Sequence, residues 1–418
     1  MKILHINASD VKGGAARAAH RLHTGLQALG ADSRMLVQKR LSHGPDILAS
    51  TNKISEGFDT MRLSFDALPL KFYKQRQKTA FSTQWLPDRV LPKIRQFNPD
   101  IIHLHWINQG FVQIETLAKL GIPMIWTLHD MWPFTGGCHY AEDCLGYRNA
   151  CGTCPHLGSA KANDLSHWIW KRKAKSWNSI DLTVVAPSQW MADCAASSSL
   201  FQQRPIDVIP HGLDLDVYKP IDKNVARDIL SLPTDAKLVL FGSAHGTSEK
   251  RKGFHFLLDA LTKLSQLSEG SPQIQLAVFG QKSPDRPIDF GFKTHYLGTF
   301  QDDLSLSLVY SAADVMVVPS LQEAFGQTAF EAMACGVPVV AFDATGLKDI
   351  VEHKENGFLA QPFDTTDMAK GLHWMLSDPA TMNFLGQQAR KKAEAEYSVT
   401  LQSERYLALS KRLKSKAS

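Results

Sequence analysis

Short apolar segments alternate with amphipathic helical segments along most of this chain. The alternation is typical of a parallel β-sheet covered by helices, because parallel neighbours need a crossover connection. In the first half, a helical pattern from Ala15 to Leu29 ends at Gly30, a common residue after a helix C-terminus. The predicted strands of this half are 3–7, 34–37, 101–105, 124–128, 182–186 and 207–209. Residues 42–99 show no clear strand pattern, so we expect helices and loops there.

The alternation begins again after residue 210, which predicts a second domain of the same type. The chain has 418 residues and is 44% hydrophobic, enough for two domains with separate cores. We predict an α/β chain of two Rossmann-like, doubly wound domains, at 1–205 and 206–397. The predicted strands of the second are 238–241, 275–279, 295–297, 315–318 and 337–341, with helices at 254–267, 328–333 and 368–376. An amphipathic helix at 399–413 closes the chain.

The most informative motif follows the predicted strand 315–318. Glu323 and Glu331 lie eight positions apart across a strand-to-helix turn, with Gly326 and the start of a helix between them. Backbone N–H groups at a helix N-terminus favour an anion such as a diphosphate. Carboxylates on either side of that turn suit hydroxyl groups. A nucleotide sugar has this layout, with sugar hydroxyls, a diphosphate and ribose hydroxyls in order.

This motif, with Phe325-Gly326 inside it and Gly336-Val337-Pro338-Val339-Val340 after it, resembles the donor site of family 4 retaining glycosyltransferases of the GT-B fold. The resemblance implies two domains that face each other across a cleft, with the donor held mainly by the second. It also implies that the last helix, 398–418, packs back on the first domain. Glu323 would then hold sugar hydroxyls and Glu331 the ribose. The rest of the implied donor-binding turn is Phe325, Gly326, Gln327 and Thr328.

Two further segments are expected to contact phosphate. Gly13-Gly14 stands between the first predicted strand and the first helix, where doubly wound sheets commonly bind phosphate. Arg251-Lys252-Gly253 matches the step that contacts the donor diphosphate in the family. Members of the family commonly have an arginine after the glycine that ends the preceding strand, whereas here Gly242 is followed by Ser243-Ala244-His245. Either Arg251 replaces that charge or the site is less cationic than usual.

His129 follows a predicted strand at its C-terminal end, where open α/β sheets bind ligands. Its Thr-x-His-Asp context, with Asp130 next, resembles that of the active-site histidine of the family. The resemblance implies that His129 contacts the donor sugar near the reacting carbon. We therefore interpret His129 and Glu323 as the catalytic residues.

Four cysteines follow His129 in the pattern Cys-x5-Cys-x6-Cys-x2-Cys. They are Cys138, Cys144, Cys151 and Cys154. Four thiolates can hold zinc tetrahedrally, and Cys-x2-Cys is a common half of such sites. Zinc would stabilise a loop that has no core of its own. Disulfides and unligated thiols are the alternatives. A similar Cys-rich insertion occurs in capsule- and colanic-acid-type members of the family.

The net charge of +5 is too small for a dedicated nucleic-acid binder, so we expect no nucleic-acid partner. The positive charge is clustered in Lys71–Lys78, Lys171–Lys175 and Lys411–Lys416, the first two with aromatic residues among them. Such segments are either solvated surface or a docking face for an anionic membrane. The sequence shows no secretion signal and no apolar run long enough to span a bilayer. We expect a cytoplasmic protein, at most attached to the inner face of a membrane.

These features together predict a retaining, hexosyltransferase-like glycosyltransferase of cell-surface polysaccharide synthesis. It would move a sugar from a nucleotide-diphosphate sugar to a saccharide or polyprenyl-linked saccharide, with the departing diphosphate taking the acceptor proton. No catalytic metal or other cofactor is needed. Two other functions stay open. A GT-B nucleotide-sugar epimerase would consume donor without an acceptor, and a non-catalytic membrane scaffold would have no turnover.

Overall fold

The computed structural model describes residues 1–49, 53–242, 249–267, 273–281, 283 and 288–417. The chain divides into two compact units, one of residues 1–212 with 400–418 and the other of residues 213–399. The segment Ser243-Ala244-His245, where the sequence departs from the family pattern, lies outside the described residues.

The first unit is built on a parallel sheet in the order β3-β2-β1-β4-β5-β6-β7. Its strands are β1 (Lys2–Ser9), β2 (Asp32–Lys39), β3 (Ile47–Leu48), β4 (Ile101–Leu104), β5 (Met124–Thr127), β6 (Leu182–Ala186) and β7 (Ile206–Val208). Its helices are α1 (Gly14–Ala28), α2 (Lys53–Asp66), α3 (Leu91–Phe97), α4 (Leu165–Trp177) and α5 (Gln189–Ala196). The expectation of no strand within 42–99 is wrong. β3 pairs with β2 there, and two residues are too few to produce a periodic pattern.

The last helix of the chain, α13 (Val399–Ala417), belongs to the first unit by its contacts. Tyr406, Leu409 and Leu413 are buried in a cluster with Ile3 of β1 and Ile101 of β4. The Tyr406 hydroxyl also shares a 2.8 Å hydrogen bond with the Thr127 hydroxyl at the end of β5. At the other boundary, β7 pairs with β6, so the first sheet extends beyond the boundary predicted after residue 205.

The second unit has a parallel sheet in the order β10-β9-β8-β11-β12-β13. Its strands are β8 (Lys237–Gly242), β9 (Ile274–Phe279), β10 (Thr294–Gly298), β11 (Val315–Val318), β12 (Val339–Phe342) and β13 (Gly357–Ala360). Its helices are α6 (Lys223–Ile229), α7 (Phe254–Leu267), α8 (Asp303–Ser311), α9 (Gln327–Ala334), α10 (Leu347–Ile350), α11 (Thr365–Ser377) and α12 (Pro379–Glu396). The sequence reading missed β13, a short strand at the sheet edge.

Both faces of the second sheet are buried, as a doubly wound sheet requires. Met316 and Val318 of β11 point into one core cluster, and Val315 and Val317 point into another. Two Rossmann-like α/β domains with parallel sheets are therefore confirmed. Within the described residues, no helix has the length and apolar character that crossing a bilayer would require.

A buried carboxylate connects the N-terminal part of the second unit to its sheet. Asp314, directly before β11, accepts hydrogen bonds from Arg227 (2.7 Å) and Lys223 (2.6 Å) of α6. It also accepts one from the backbone N–H of Leu238 in β8 (2.6 Å). Asp314 and Arg227 are both buried. Each neutralises the charge of the other, and either charge alone would be costly in the interior.

We expect Asp314→Ala to lower the free energy of unfolding of the second unit by about 3–5 kcal/mol, because Arg227 loses its partner in the interior. Hydrogen exchange measured by mass spectrometry should show faster exchange in β8 and β11 peptides and little change in the first sheet. Asp228→Ala, an exposed change on the same helix, is the control. Equal exchange in the two variants would contradict the role given to Asp314.

Candidate functional site

In each unit the strand order reverses between two neighbouring strands, β1 and β4 in the first and β8 and β11 in the second. In open α/β sheets, ligands bind beside the carboxyl ends of the strands at such a switch point. In the second unit, the Arg251-Lys252 turn follows β8 and the loop carrying Glu323 follows β11. The two predicted parts of the donor site therefore start from the two strands of the switch point.

Glu323, Lys252 and Arg251 form a partly buried ionic cluster. Lys252 Nζ lies 2.6 Å from Glu323 Oε1, and an Arg251 guanidinium nitrogen lies 3.5 Å from Glu323 Oε2. Glu323 is 8% exposed. Burial by itself raises the pKa of Glu323, but the charges of Lys252 and Arg251 outweigh it and lower the pKa to about 2. The carboxylate is therefore ionised over the whole physiological pH range.

A close contact between two backbones holds this cluster in place. Gly253 has a φ of +69°, and a Cβ at this position would lie 1.7 Å from the Pro319 carbonyl oxygen. The Leu321 N–H donates to the Arg251 carbonyl at 2.8 Å, and an Arg251 nitrogen donates to the Gln322 carbonyl at 2.5 Å. Only glycine fits at residue 253, and this places Lys252 against the loop that carries Glu323.

Glu331 lies within α9, one turn from its start. The helix begins after Gly326, which has a φ of +110° at the N-cap. The first-turn N–H groups of a helix have no acceptor within the helix, so they suit an anion. Gln327 and Thr328 in this turn are half-buried. Glu331 is buried and accepts a 2.8 Å hydrogen bond from the hydroxyl of Tyr310 in α8.

Phe325 differs from the other residues predicted to bind donor. Its ring is buried in the hydrophobic core, 5.0 Å from the Phe330 ring and 5.6 Å from the Tyr397 ring between centroids. The side chain thus anchors the turn from inside. The hydrophobicity that this packing requires is also the reason that Phe325 stood out beside Gly326 in the sequence.

In the first unit, Gly13 and Gly14 are exposed between β1 and α1, and Gly13 is the N-cap residue of that helix. The turn therefore offers helix N–H groups at the carboxyl end of β1. Asp10 in the same loop is buried, and its carboxylate accepts from the backbone N–H groups of Leu41 and Ser42 at 3.0 and 2.7 Å. These bonds attach the loop to the end of β2.

His129 is half-buried directly after β5 and belongs to a chain of imidazoles across three strands. His105 shares one hydrogen bond with His129 (3.0 Å) and another with His5 (2.9 Å). The His129 ring also stacks on that of His211, with centroids 5.1 Å apart. Burial lowers the pKa of His129 to about 4 and also holds the pKa of His105 well below its usual range. His129 is therefore neutral at pH 7 and oriented by its neighbours.

Asp130 connects this strand end to the cysteine segment. Its carboxylate accepts from His139 Nδ1 (2.6 Å), Trp106 Nε1 (2.8 Å) and the Trp132 N–H (2.9 Å). His139 therefore bonds to Asp130 instead of pointing to the cysteines. Cys138, Cys144, Cys151 and Cys154 line one small cavity.

The three basic segments differ in exposure. Lys71, Lys74, Arg76 and Lys78 are exposed. In the second segment, however, Lys173 is buried and Arg172 is paired with Glu115 at 2.6 Å, so neither side chain offers a free charge at a solvated surface or to a membrane. In the third, Arg412 pairs with Asp207 and Lys414 with Asp100.

The partners that orient the predicted residues were missed by sequence reasoning. Tyr310 lies 21 positions before Glu331, and His105 lies 24 before His129. Thr345 accepts from the Glu323 backbone N–H at 3.1 Å from 22 positions away. No local pattern pairs residues so far apart. His105 is the last residue of the predicted strand 101–105, and that position was the only available signal.

Comparisons with known proteins were made for both halves. Residues 12–217 match the family model described as Glycosyltransferase Family 4, and residues 222–392 match the model described as Glycosyl transferases group 1. A D-inositol 3-phosphate glycosyltransferase from Rhodococcus erythropolis is 35% identical over 45% of this chain and 44% of its own length. Another, from Pseudarthrobacter chlorophenolicus, is 26% identical over 73% of this chain and 70% of its own length. The chain thus spans less than half of the first relative and over two thirds of the second.

Two solved structures share the fold over nearly the whole chain. Sucrose-phosphate synthase from Thermosynechococcus elongatus has a TM-score of 0.71 and 22% identity, with all of both chains covered. Anabaena HepE in complex with UDP and glucose has a TM-score of 0.63 and 19% identity, with 98% of this chain and 99% of that chain covered. At this level of identity they establish a common fold.

The buried histidines should make the first unit labile to acid. Burial lowers the folded-state pKa of His129 to about 4 and that of His103 to about 3, against 6.5 for a free imidazole. As the pH falls below about 6.5, the unfolded chain binds protons that the folded unit does not, so the free energy of unfolding falls. Each such histidine contributes about 1.4 kcal/mol per pH unit until its folded pKa is reached.

Urea unfolding at pH 7.5, 6.5 and 5.5 measures this slope. Of the nine tryptophans only Trp374 lies in the second unit, so tryptophan fluorescence reports on the first. Stability that is constant down to pH 5.5 would contradict the lowered folded-state pKa values of these imidazoles.

Proposed function

We propose that this chain, which belongs to the group 1 and family 4 glycosyltransferases, transfers a sugar from a nucleotide-diphosphate sugar to a hydroxyl of a saccharide-type acceptor with retention of configuration. The observation that carries the proposal lies in the second unit. Two cations and a buried carboxylate meet beside the start of α9, and a second buried carboxylate, Glu331, lies one turn into that helix. This arrangement provides groups for a sugar, a diphosphate and a ribose in sequence.

The ionic cluster supplies positive charge for the diphosphate and negative charge for the sugar hydroxyls of the donor. Lys252 and Arg251 attract the diphosphate, and when they turn toward it, Glu323 exchanges their hydrogen bonds for those of sugar hydroxyls. Glu323 is ionised before the donor binds, because Lys252 and Arg251 hold its pKa at about 2. Glu331 accepts from the ribose hydroxyls while Tyr310 fixes one of its oxygens. Such pre-arranged charges favour the reaction by positioning the donor and by stabilising the leaving group.

In the reaction, the bond between the anomeric carbon and the diphosphate oxygen breaks, and a bond to the acceptor oxygen forms on the same face. The acceptor proton passes to the departing diphosphate oxygen. Lys252 and the first-turn N–H groups of α9 stabilise the negative charge that develops there. We assign His129, neutral at pH 7, a contact with the donor sugar as a hydrogen-bonding group.

UDP-glucose is the first donor to test. Anabaena HepE, whose fold this chain shares, has been solved in complex with UDP and with UDP-glucose. A panel that includes other bases and sugars tests whether this choice extends to the present chain.

For the acceptor, we propose a lipid-linked saccharide of cell-surface polysaccharide synthesis, because an exposed aromatic residue lies within a basic segment. Phe72 is 88% exposed and is surrounded in sequence by the exposed Lys71, Lys74 and Arg76. Such a combination fits an anionic membrane surface. Inositol phosphate is the second candidate, because the relatives named above are D-inositol 3-phosphate glycosyltransferases.

An assay of nucleotide sugars with and without acceptor separates these functions. Transfer requires acceptor, an epimerase consumes donor without one, and a scaffold turns over neither. Adding a lipid-linked saccharide to some reactions and inositol phosphate to others distinguishes the two acceptor classes. Absence of turnover with every donor and acceptor would contradict the proposed function.

We expect Glu331→Ala to raise the donor KM by about 10- to 100-fold, because hydrogen bonds to a charged group contribute about 1.5–3 kcal/mol. Glu323→Ala should lower kcat instead, because Glu323 contacts the reacting sugar. Steady-state kinetics with varied donor measures both. Glu355→Ala, at an exposed glutamate of the same unit, is the control and should leave both constants unchanged. If the Glu331 and Glu323 variants have the donor KM and kcat of the wild type, the donor-site assignment is wrong.

Membrane binding should depend on the Phe72 segment. Each Lys or Arg near an anionic bilayer contributes about 1 kcal/mol, so charge reversal at Lys74 and Arg76 should weaken liposome binding more than reversal at Lys414 and Lys416. Co-sedimentation with liposomes should require anionic lipid and decrease with added salt. If the protein does not bind anionic liposomes at low salt, inositol phosphate or another water-soluble acceptor is favoured.

A further inference from the structure

The segment between β5 and α4 has little regular structure and contains four of the six cysteines. Residues 135–164 form two three-residue 3-10 helices, at Gly146–Arg148 and Pro155–Leu157, and an isolated β-bridge between Cys138 and Phe81. Cys138, Cys144, Cys151 and Cys154 are reduced thiols in the structure. They surround one cavity of about 20 Å³, which they share with Tyr147 and His156. Cys154 and Leu157 pack in a small apolar cluster with Leu70, so the hydrophobic packing of the segment is local.

Backbone and side-chain donors line the cysteine cavity. The Gly146 N–H lies 3.4 Å from Cys144 Sγ. The Thr135 hydroxyl donates to the Cys138 carbonyl oxygen at 2.6 Å, and the Leu157 N–H donates to the Cys154 carbonyl oxygen at 3.2 Å. These bonds fix the backbone on both sides of the cavity, and the Gly146 bond would stabilise negative charge on the Cys144 sulfur.

A buried lysine lies close to the same segment. The Lys173 side chain is fully buried and donates to the carbonyl oxygens of Trp132 and Thr135. Its Nζ atom also lies 3.5 Å from the centroid of the Trp132 ring. A buried charge is costly unless an opposite charge lies near it, and burial lowers the pKa of Lys173 well below its usual range. Zinc held by four thiolates carries two net negative charges, which would stabilise the protonated form of Lys173.

We propose that Cys138, Cys144, Cys151 and Cys154 bind one structural zinc ion as thiolates. Binding releases the thiol protons to solvent, and each sulfur approaches to about 2.3 Å from the metal. Because Asp130 and His139 join this segment to the residue after His129, the zinc would also hold the end of β5 in place. The zinc site is structural, so this inference does not depend on the proposed function.

Among the described residues, one other group in the first unit could hold a metal. The ligand atoms of His5, His103 and His105 already lie within 4.8 Å of one another, whereas the four sulfurs must move closer on binding. Several of these histidine nitrogens, however, are engaged in the core. His5 and His105 bond to each other and His103 bonds to Thr127 at 2.7 Å, while His5 Nε2 has no hydrogen-bond partner in the described part of the chain. The cysteine cluster has the chemistry that zinc prefers, together with the charge balance.

The test is the metal content of the full chain after reconstitution with zinc and gel filtration. We expect one zinc per chain in the wild type and in Cys335→Ser, whose cysteine lies in the second unit. Cys151→Ser should lose the metal. Because that variant could fail to fold, cobalt is also substituted into the wild-type protein. Tetrahedral cobalt bound by four thiolates gives a sulfur-to-metal charge-transfer band that histidine ligation does not give.

The expected result is the thiolate spectrum together with protection of four thiols from a thiol reagent in the native protein, reversed by a chelator. Three results would overturn the proposal. They are a wild-type chain that retains no zinc, a cobalt spectrum without the sulfur band, and thiols that react at the same rate with and without zinc.

Discussion

The arrangement of the second unit depends on the ion pairing of Glu323 with Lys252 and Arg251. A carboxylate this deeply buried would be strongly destabilising without cations beside it. Its partners come from the turn after β8, and Glu323 comes from the loop after β11, so the pairing holds the two ends of the switch point together. The contact of Gly253 with Pro319 makes this approach sterically possible. The ion pairs of Glu323 and the backbone contact of Gly253 thus hold the same two loops together.

The first unit deals with buried polar groups in the opposite way. His5, His105 and His129 lie at the central strands of the sheet and bond to one another rather than to carboxylates, and burial lowers the pKa of each ring. Hydrogen bonds from one ring to the next satisfy several nitrogens that water cannot reach, although His5 Nε2 has no hydrogen-bond partner among the described residues. Glu323 in the second unit is therefore held by paired charge, whereas His129 in the first is held by neutral imidazoles. Their responses to pH and to substitution should differ accordingly.

The cysteine segment is held at its N-terminal end by polar contacts. There Asp130 and His139 bind it to the end of β5, and Lys173 of α4 donates to the Thr135 carbonyl. Buried residues such as Tyr147 and Leu157 add apolar packing further along the segment. The stability of the segment is thus coupled to the orientation of the residues around His129. A metal at the cysteines would add to a network that already exists.

The sequence by itself determined the fold class and most of the strands, because the alternation of apolar and amphipathic segments is a local property. It also placed Glu323, Gly326 and Glu331 around a helix start, since these residues lie within one short segment. The edge strand β3 was missed because two residues leave no periodic pattern, and β13 was missed because it begins with Gly357, a residue type depleted in strands. Only the tertiary structure decided that Tyr310 orients Glu331, that His105 orients His129 and that Lys173 is buried. Those relations join residues far apart in the chain, and they arise from the order in which parallel strands and their helices pack.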